Sequence, residues 1–569
     1  MSDSPDLFLP SRLTGPPTNR AGLTAVSRRS LFKAIGLGAT AIAAPALLAS
    51  CGKGSGGSVS NAGVAKVPWP TYQPFAGPPP DLPGTAAGVQ AGYTKYPSSL
   101  VSAVKAKPGD GSRVRAVAIT YGTPPRPVSQ NKLWQAVNDR LGIDLDFLLI
   151  PDADFDTKMA TLISGDDLPD IISIGGGHHL PHEQEFVSSE CADLSDYLSG
   201  DKIKDYPNLA NLPQYAWQGM GRIKGRIYGI PLERPLPGWA MFIDRDAFNS
   251  VGANDASWTK DEFASAVKAL SKNKQYGMGA SKSNQFGLRQ YHCGSFGAAN
   301  DWKLYGGNFV RADTLPEFKE ALAFARDLFA AGAYYPDTMS ISTVDMKTYF
   351  YNGTLKSATD GLAAYAPNVT STKGKFTVDL ALPFHGGSAT PGIFAGGGTF
   401  GYTVLKKASP ERIQMLLRVL DYLAAPFGSK EYEFVHFGIE GTHFTRAADG
   451  TPTPTALWKD ENTSVTLPII YLAEAPRVLY FAGVDAQSVK RLHDWEAKAV
   501  PVAVKNPASG LVSDTNNRTG TVLNQNLNDG INAIITGKTP LDGWEAIVKK
   551  WRDDGGDRIA EEYAKEYAG

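Results

Sequence analysis

Beyond residue 112 the apolar positions switch repeatedly between two spacings. Val114, Val117 and Ile119 mark 113–120 as a strand, whereas Leu133, Trp134, Val137 and Leu141 recur at helical spacing over 131–141. A second strand over 143–150, a second helix over 157–164 and a short buried strand over 170–174, set off by Pro169, continue the series. The order β-α-β-α-β predicts a parallel sheet covered by helices, the α/β class, in which ligands lie beyond the carboxyl ends of the strands. Those ends open into Tyr121-Gly122-Thr123 and Gly175-Gly176-Gly177-His178-His179.

Further on, 225–231 reads as a turn and strand and 239–243 as another strand. Ser257-Trp258-Thr259-Lys260-Asp261-Glu262 carries a Ser or Thr cap followed by acidic first-turn residues, and Phe263, Val267 and Leu270 give the helix it opens an apolar face. From there to about residue 366 the pattern is mainly helical, as in 316–330, which predicts a second lobe. Phe400 to Leu405 is a strand, and Pro410 opens a helix whose stripe is Ile413, Leu416, Leu417, Leu420 and Leu423. Trp544, Ile547, Val548 and Trp551 seat a C-terminal helix on the body. The expected organisation is lobe 1 over 113–245, the main part of lobe 2 over 246–375, and a chain returning between the lobes, with hinge and C-terminal helices, over 376–569.

The N-terminal pattern is different. Arg28 and Arg29 precede the uncharged run 34–49, which ends in Leu48-Ala49-Ser50-Cys51. At 1.5 Å per residue this run reaches about 24 Å, short of a ~30 Å hydrocarbon core, and Gly36, Gly38 and Pro45 weaken it as a permanent span. A charged flank, a short apolar segment and small residues before a cut are the parts of a secretory signal. The Arg pair resembles the twin-arginine type, with Leu31-Phe32 where that signal usually reads Phe-Leu, and 48–51 resembles a bacterial lipobox, whose Cys becomes acylated. The expectation is a signal over 1–50, lipid on Cys51, and a flexible Gly-, Ser- and Pro-rich linker over 51–112. Its aromatic residues, among them Trp69, Tyr93 and Tyr96, point to partial docking on the body. No later segment is apolar and long enough to span a bilayer.

Charge narrows the partners. With 56 Lys plus Arg against 57 Asp plus Glu and no long run of either sign, the chain offers no electrostatic surface for nucleic acid. Its length calls for two or more lobes with a substantial core. If Cys51 carries lipid, Cys191 and Cys293 remain as thiols or as a single bridge.

Several segments resemble the lipoprotein-type extracellular solute-binding proteins, family 1, of bacterial ABC importers for carbohydrates. They are Asp167-Leu168-Pro169-Asp170-Ile171-Ile172, Ile227-Tyr228-Gly229-Ile230-Pro231 with Met241-Phe242-Ile243-Asp244-Arg245, Trp258-Thr259-Lys260-Asp261-Glu262-Phe263, Phe437-Gly438-Ile439-Glu440-Gly441-Thr442, and Ile535-Thr536-Gly537-Lys538 through Trp551. The resemblance implies a two-lobed periplasmic-binding-protein-like fold with a hinge, closing on a sugar, an oligosaccharide for the Gly438-Ile439-Glu440-Gly441 type. It also implies delivery to permease subunits by a monomer held at the extracytoplasmic face of the membrane, with no cofactor and no catalysis.

Sugars present apolar C–H faces and hydroxyl edges, so a site for them needs flat aromatic rings and planar polar groups. Trp239 after a Pro-rich loop, Trp302 and Tyr305 in the loop 300–307, and Tyr121 after the first strand are the stacking candidates. Each competes with an ordinary core role. Arg234 beside Glu233, and Glu440 between Ile439 and Gly441, are polar candidates; the alternatives are a solvated surface pair for Arg234 and a buried turn-stabilising carboxylate for Glu440. His178 belongs to a run, 177–185, holding three His and two Glu; Pro181 interrupts the helical relation of His178 and His182 and no HExxH is present, so a cleft-side loop is preferred to a metal site. Asp152-Ala153-Asp154-Phe155-Asp156 starts like a calcium loop but has Thr157 and Ile163 where Gly and Glu belong. The competing class is a secreted carbohydrate-active hydrolase using two carboxylates. No nucleophile elbow, phosphate loop or internal repeat accompanies it.

Overall fold

In a computed structural model, the described residues are 61 and 63–568 apart from 166, 177, 179, 181, 254 and 256. The signal-like stretch, Cys51 and His179 lie outside them. The predicted opening series is present: β1 (Arg113–Thr120), α1 (Lys132–Leu141), β2 (Asp144–Pro151), α2 (Phe155–Ile163) and β3 (Ile171–Gly175). Asn131 caps α1 by accepting from the Trp134 N–H, and Gly142 ends it in the left-handed region that its missing Cβ permits. After α3 (Glu183–Glu190) come β4 (Gly229–Glu233), β5 (Trp239–Asp244), β6 (Trp302–Tyr305), β7 (Asn308–Arg311), β8 (Ser357–Gly361), β9 (Val378–Ala381), β10 (Ile393–Phe394) and β11 (Thr399–Leu405).

The first sheet has the order β2-β1-β3-β11-β4. β1 is parallel to β2 and β3, while β11 runs antiparallel between β3 and β4. Strand alternation sends Val114, Ala116 and Ala118 to one face and Val117 and Ile119 to the other. The first face packs on the helix Pro410–Leu423 through the predicted stripe Ile413, Leu416, Leu417, Leu420 and Leu423. The second face packs on α2 and α3.

The second sheet is β8-β5-β9. The sequence pattern puts β5 within lobe 1, whose first passage it extends to residue 245; in the structure β5 pairs with β8 and β9, so that passage ends at β4. The physical reason is in β5 itself, where Met241 and Ile243 enter one buried cluster while Ala240 and Phe242 enter another, as a strand covered on both faces requires. The helix Lys260–Leu270 starts with the full Thr259–Glu262 capping box. Trp544 of the C-terminal helix stacks on Phe318 and donates its indole N–H to the Asp313 carbonyl.

The chain therefore crosses between the sheets near 234–238, 395–398 and 475–478, with Pro237 bridged to Ala395. The linker is corrected in extent: the docking its aromatic residues point to begins already at Asn61, which is buried, donates to Glu566 and accepts from the Gly225 N–H, and it continues with Val67 donating to Gly225, Thr71 to Gly200 and Gln73 to Ala210. Tyr93 and Tyr96 are buried against Phe427, apolar burial that a freely moving tether would forgo. Cys191 and Cys293 are free thiols in the cores of different lobes.

Candidate functional site

β1 and β3 are neighbours, so their carboxyl ends bring Tyr121 and the turn at Gly176 together. Gly176 has φ +74°, and a Cβ there would run into the Tyr121 hydroxyl. Tyr121 is 51% exposed and meets Tyr471 edge-on, with ring centres 6.3 Å apart. Tyr471 in turn stacks on Phe400, at 5.2 Å and 17°. The Arg234 guanidinium lies 4.8 Å from the centre of the Phe400 ring. Burial, then Asp152 and Tyr471, push the Tyr121 phenol up to about 12, with Arg234 pulling the other way. The result is a ridge of three aromatic rings and one cation along the edge of the first sheet.

An ionic frame holds this ridge where the chain crosses. Arg234 donates to Glu474 at 2.8 Å and to the Glu233 carbonyl at 2.6 Å. Arg477 also reaches Glu474, at 3.0 Å. Burial would raise the Glu474 carboxyl, but Arg477 and Arg234 outweigh it and hold it below the usual carboxylate range. Glu233 behaves oppositely: burial pushes it up despite hydrogen bonds from the Tyr215 hydroxyl at 2.5 Å and the Arg477 N–H at 3.0 Å.

His178 closes the ridge at the other end. Its Nδ1 lies 2.9 Å from Asp156 and its Nε2 3.0 Å from Asp152. Ionised carboxylates only accept, so this placement of both ring nitrogens favours the doubly protonated ring. Burial works against that charge, but the two aspartates prevail and raise its pKa.

Beside the ridge, a cavity of about 390 Å³ lies between the parts of the chain carrying the two sheets. Gly175, His178, Arg222 and Phe400 line it from one side, and Gly510, Asn516 and Tyr563 from the other. Asn517 extends its amide toward Gln184 across the gap, at 3.4 Å.

The predicted residues divide into two groups. Tyr121, His178 and Arg234 join one edge, and Trp239, 41% exposed, stands at the start of β5 just after the crossing from lobe 1. Trp302 is corrected: only 5% exposed, it packs against Trp551 and Tyr563 because the β6–β7 hairpin lays it on the C-terminal helices. Tyr305 is exposed beside the turn of that hairpin, under Lys303, and lines no part of the interlobe cavity. Glu440 is also corrected, since both its oxygens are taken by Arg446 on the surface. Phe400, Tyr471, Glu474 and Arg222 were not foreseen. Only Phe400 carried a signal, as the first aromatic after the glycine run 396–398.

No family model matches the chain. Among curated proteins it is similar to the polygalacturonan/rhamnogalacturonan-binding protein YtcQ of Bacillus subtilis strain 168, 24% identical over 482 residues that cover 82% of this chain and 94% of that protein. It is also similar to lipoprotein LipO of the same organism, 23% identical over 476 residues, 78% and 90% of the two chains. Among solved structures, an extracellular solute-binding protein from Bifidobacterium longum subsp. infantis aligns with TM-score 0.61 at 13% identity, covering 80% of this chain and 98% of that one. The N-glycan transport solute-binding protein NgtS of Streptococcus pneumoniae aligns with TM-score 0.55 at 15% identity over 80% and 98%. The chain thus shares a two-lobed α/β fold with these solute-binding structures and is similar to the two Bacillus proteins over most of its length.

Proposed function

We propose that the chain captures a carbohydrate, an oligosaccharide, between its lobes and passes it to the permease subunits of an ABC importer, without chemical turnover. The observation that carries this reading is the ridge of Tyr121, Tyr471 and Phe400 at the carboxyl ends of β1 and β3, with Arg234 over the last ring. Aromatic faces accept the C–H faces of sugar rings, and the neighbouring guanidinium and amides serve hydroxyls. Trp239 on the second sheet supplies the opposing ring on closure. Capture proteins of related sequence carry names of the same kind, YtcQ for polygalacturonan and rhamnogalacturonan.

A thermal-shift screen of oligosaccharides with product analysis tests this. A sugar present at a hundred times its dissociation constant should stabilise the chain by about 2.7 kcal/mol and be recovered intact. Tyr121→Ala should shrink that shift. Steady cleavage of the stabilising sugar would mean a hydrolase instead.

The reading includes tethering. A twin-arginine-type signal over 1–50 exports the chain, and lipid on Cys51 holds it, as a monomer, at the extracytoplasmic face of the membrane. Cys51→Ser should move the protein from the membrane fraction to the soluble one. Retention in the membrane fraction would count against the anchor.

A further inference from the structure

The cations around the ridge are already matched. Arg234 and Arg477 share Glu474, and His178 sits between Asp152 and Asp156. Arg222, which lines the interlobe cavity, differs from all three. No carboxylate partners it among the described residues. Its guanidinium carbon instead lies 3.6 Å from the centre of the Trp69 ring. Its Nε–H is buried without an acceptor among the described residues. Burial alone shifts its pKa, downward, as for a cation that has lost water and gained no anion.

An unsatisfied donor on a charged group is costly, and such groups in folded proteins call for an explanation. The surroundings supply one. Gly221 and Gly510 meet backbone to backbone at this point, a Cβ on Gly221 standing 2.6 Å from the Gly510 carbonyl oxygen, so Arg222 is held where the two sides of the cavity join. Trp69 covers a face of the guanidinium and fixes its plane, which leaves the N–H edge as the recognising element. A planar fork of N–H donors matches a carboxylate and distinguishes it from a hydroxyl.

We propose that Arg222 recognises a carboxylate on the captured saccharide, so that the cavity beside the ridge takes a uronic acid unit; this rests on the capture reading above. Entry of the carboxylate gives this unpaired cation its counter-ion. The aromatic ridge then holds the remaining units of the oligosaccharide by their apolar faces.

The test uses the full-length chain in detergent, titrated calorimetrically with trigalacturonate and with its fully methyl-esterified form, which differ in charge and not in ring chemistry. Wild type should bind the acid at least about tenfold more tightly than the ester, the scale of one charge-assisted contact. Arg222→Gln should lower affinity for the acid at least about tenfold and bring the acid-to-ester preference close to one, and Arg222→Lys, a charge without the fork, should restore part of the preference. Equal binding of acid and ester by wild type overturns the carboxylate assignment and leaves saccharide capture standing. A preference that survives Arg222→Gln overturns the role of Arg222. Binding of neither form overturns this inference, and the wider sugar screen then decides on capture separately.

Discussion

Glu474→Gln should destabilise the chain by about 3–5 kcal/mol at pH 7, the usual consequence of removing one partner from a buried ion pair. Glu474 is buried and serves two cations at once, Arg234 and Arg477. The substitution keeps its shape and deletes its charge. Arg477 retains Glu233 nearby, but Arg234 is left with a carbonyl and the Phe400 ring. Because the Glu474 carboxyl is held below its ordinary value, its stabilisation is fully present above about pH 4.5 and disappears as pH falls through the lowered native value. The gap between wild type and variant should accordingly be widest near neutrality and close in acid. Chemical denaturation at several pH values measures it, and a difference below about 1 kcal/mol at pH 7 would mean that the frame does not depend on this charge. Sugar affinity should fall with stability, since Arg234 orders the Phe400 end of the ridge.

What could be read from the sequence follows from how local each signal is. The alternation of strand and helix in 113–175, the capping box at Thr259 and the stripe on the helix Pro410–Leu423 are written within a dozen residues each, and the structure has all three. The site is legible only where topology determines position. Tyr121 was placed because it follows the first parallel strand, whereas Tyr471 and Glu474 reach the same edge from some 350 residues away in sequence with no periodicity to mark them. Trp302 misled because a Gly-rich hairpin with two polar ends looks like an exposed loop, and the helices that cover it come more than 240 residues later. The sequence places β5 in lobe 1 for a related reason: a run buried on both faces reads the same whichever neighbours it has.

Glu496 makes the opposite prediction to Glu474. It lies on the helix Ala486–Ala499, fully buried; one oxygen accepts the Gln90 N–H at 2.9 Å and the other has no partner among the described residues. Burial, reinforced by the nearby Glu233 carboxyl, pushes it up to about 8. Below pH 4.5 folded and unfolded chains both hold the proton, and Glu496 costs nothing. Between 4.5 and 8 the unfolded chain releases it while the folded one keeps it, so stability falls by about 1.4 kcal/mol per pH unit; above 8 the loss levels off, at most about 5 kcal/mol. Glu496→Gln removes the titration and keeps the contact with Gln90 within reach. It should match wild type near pH 4 and exceed it increasingly up to pH 9, and a constant difference across that range would show that Glu496 is not the titrating group. The position gives the effect a functional direction. Glu496 joins a helix after the last crossing to the N-terminal stretch at Gln90 and faces Glu233 at the end of β4, so ionising it sets two carboxylates against each other at the junction of the lobes. Alkaline pH should therefore loosen that junction in wild type, and sugar affinity should fall above pH 8 in wild type but not in Glu496→Gln.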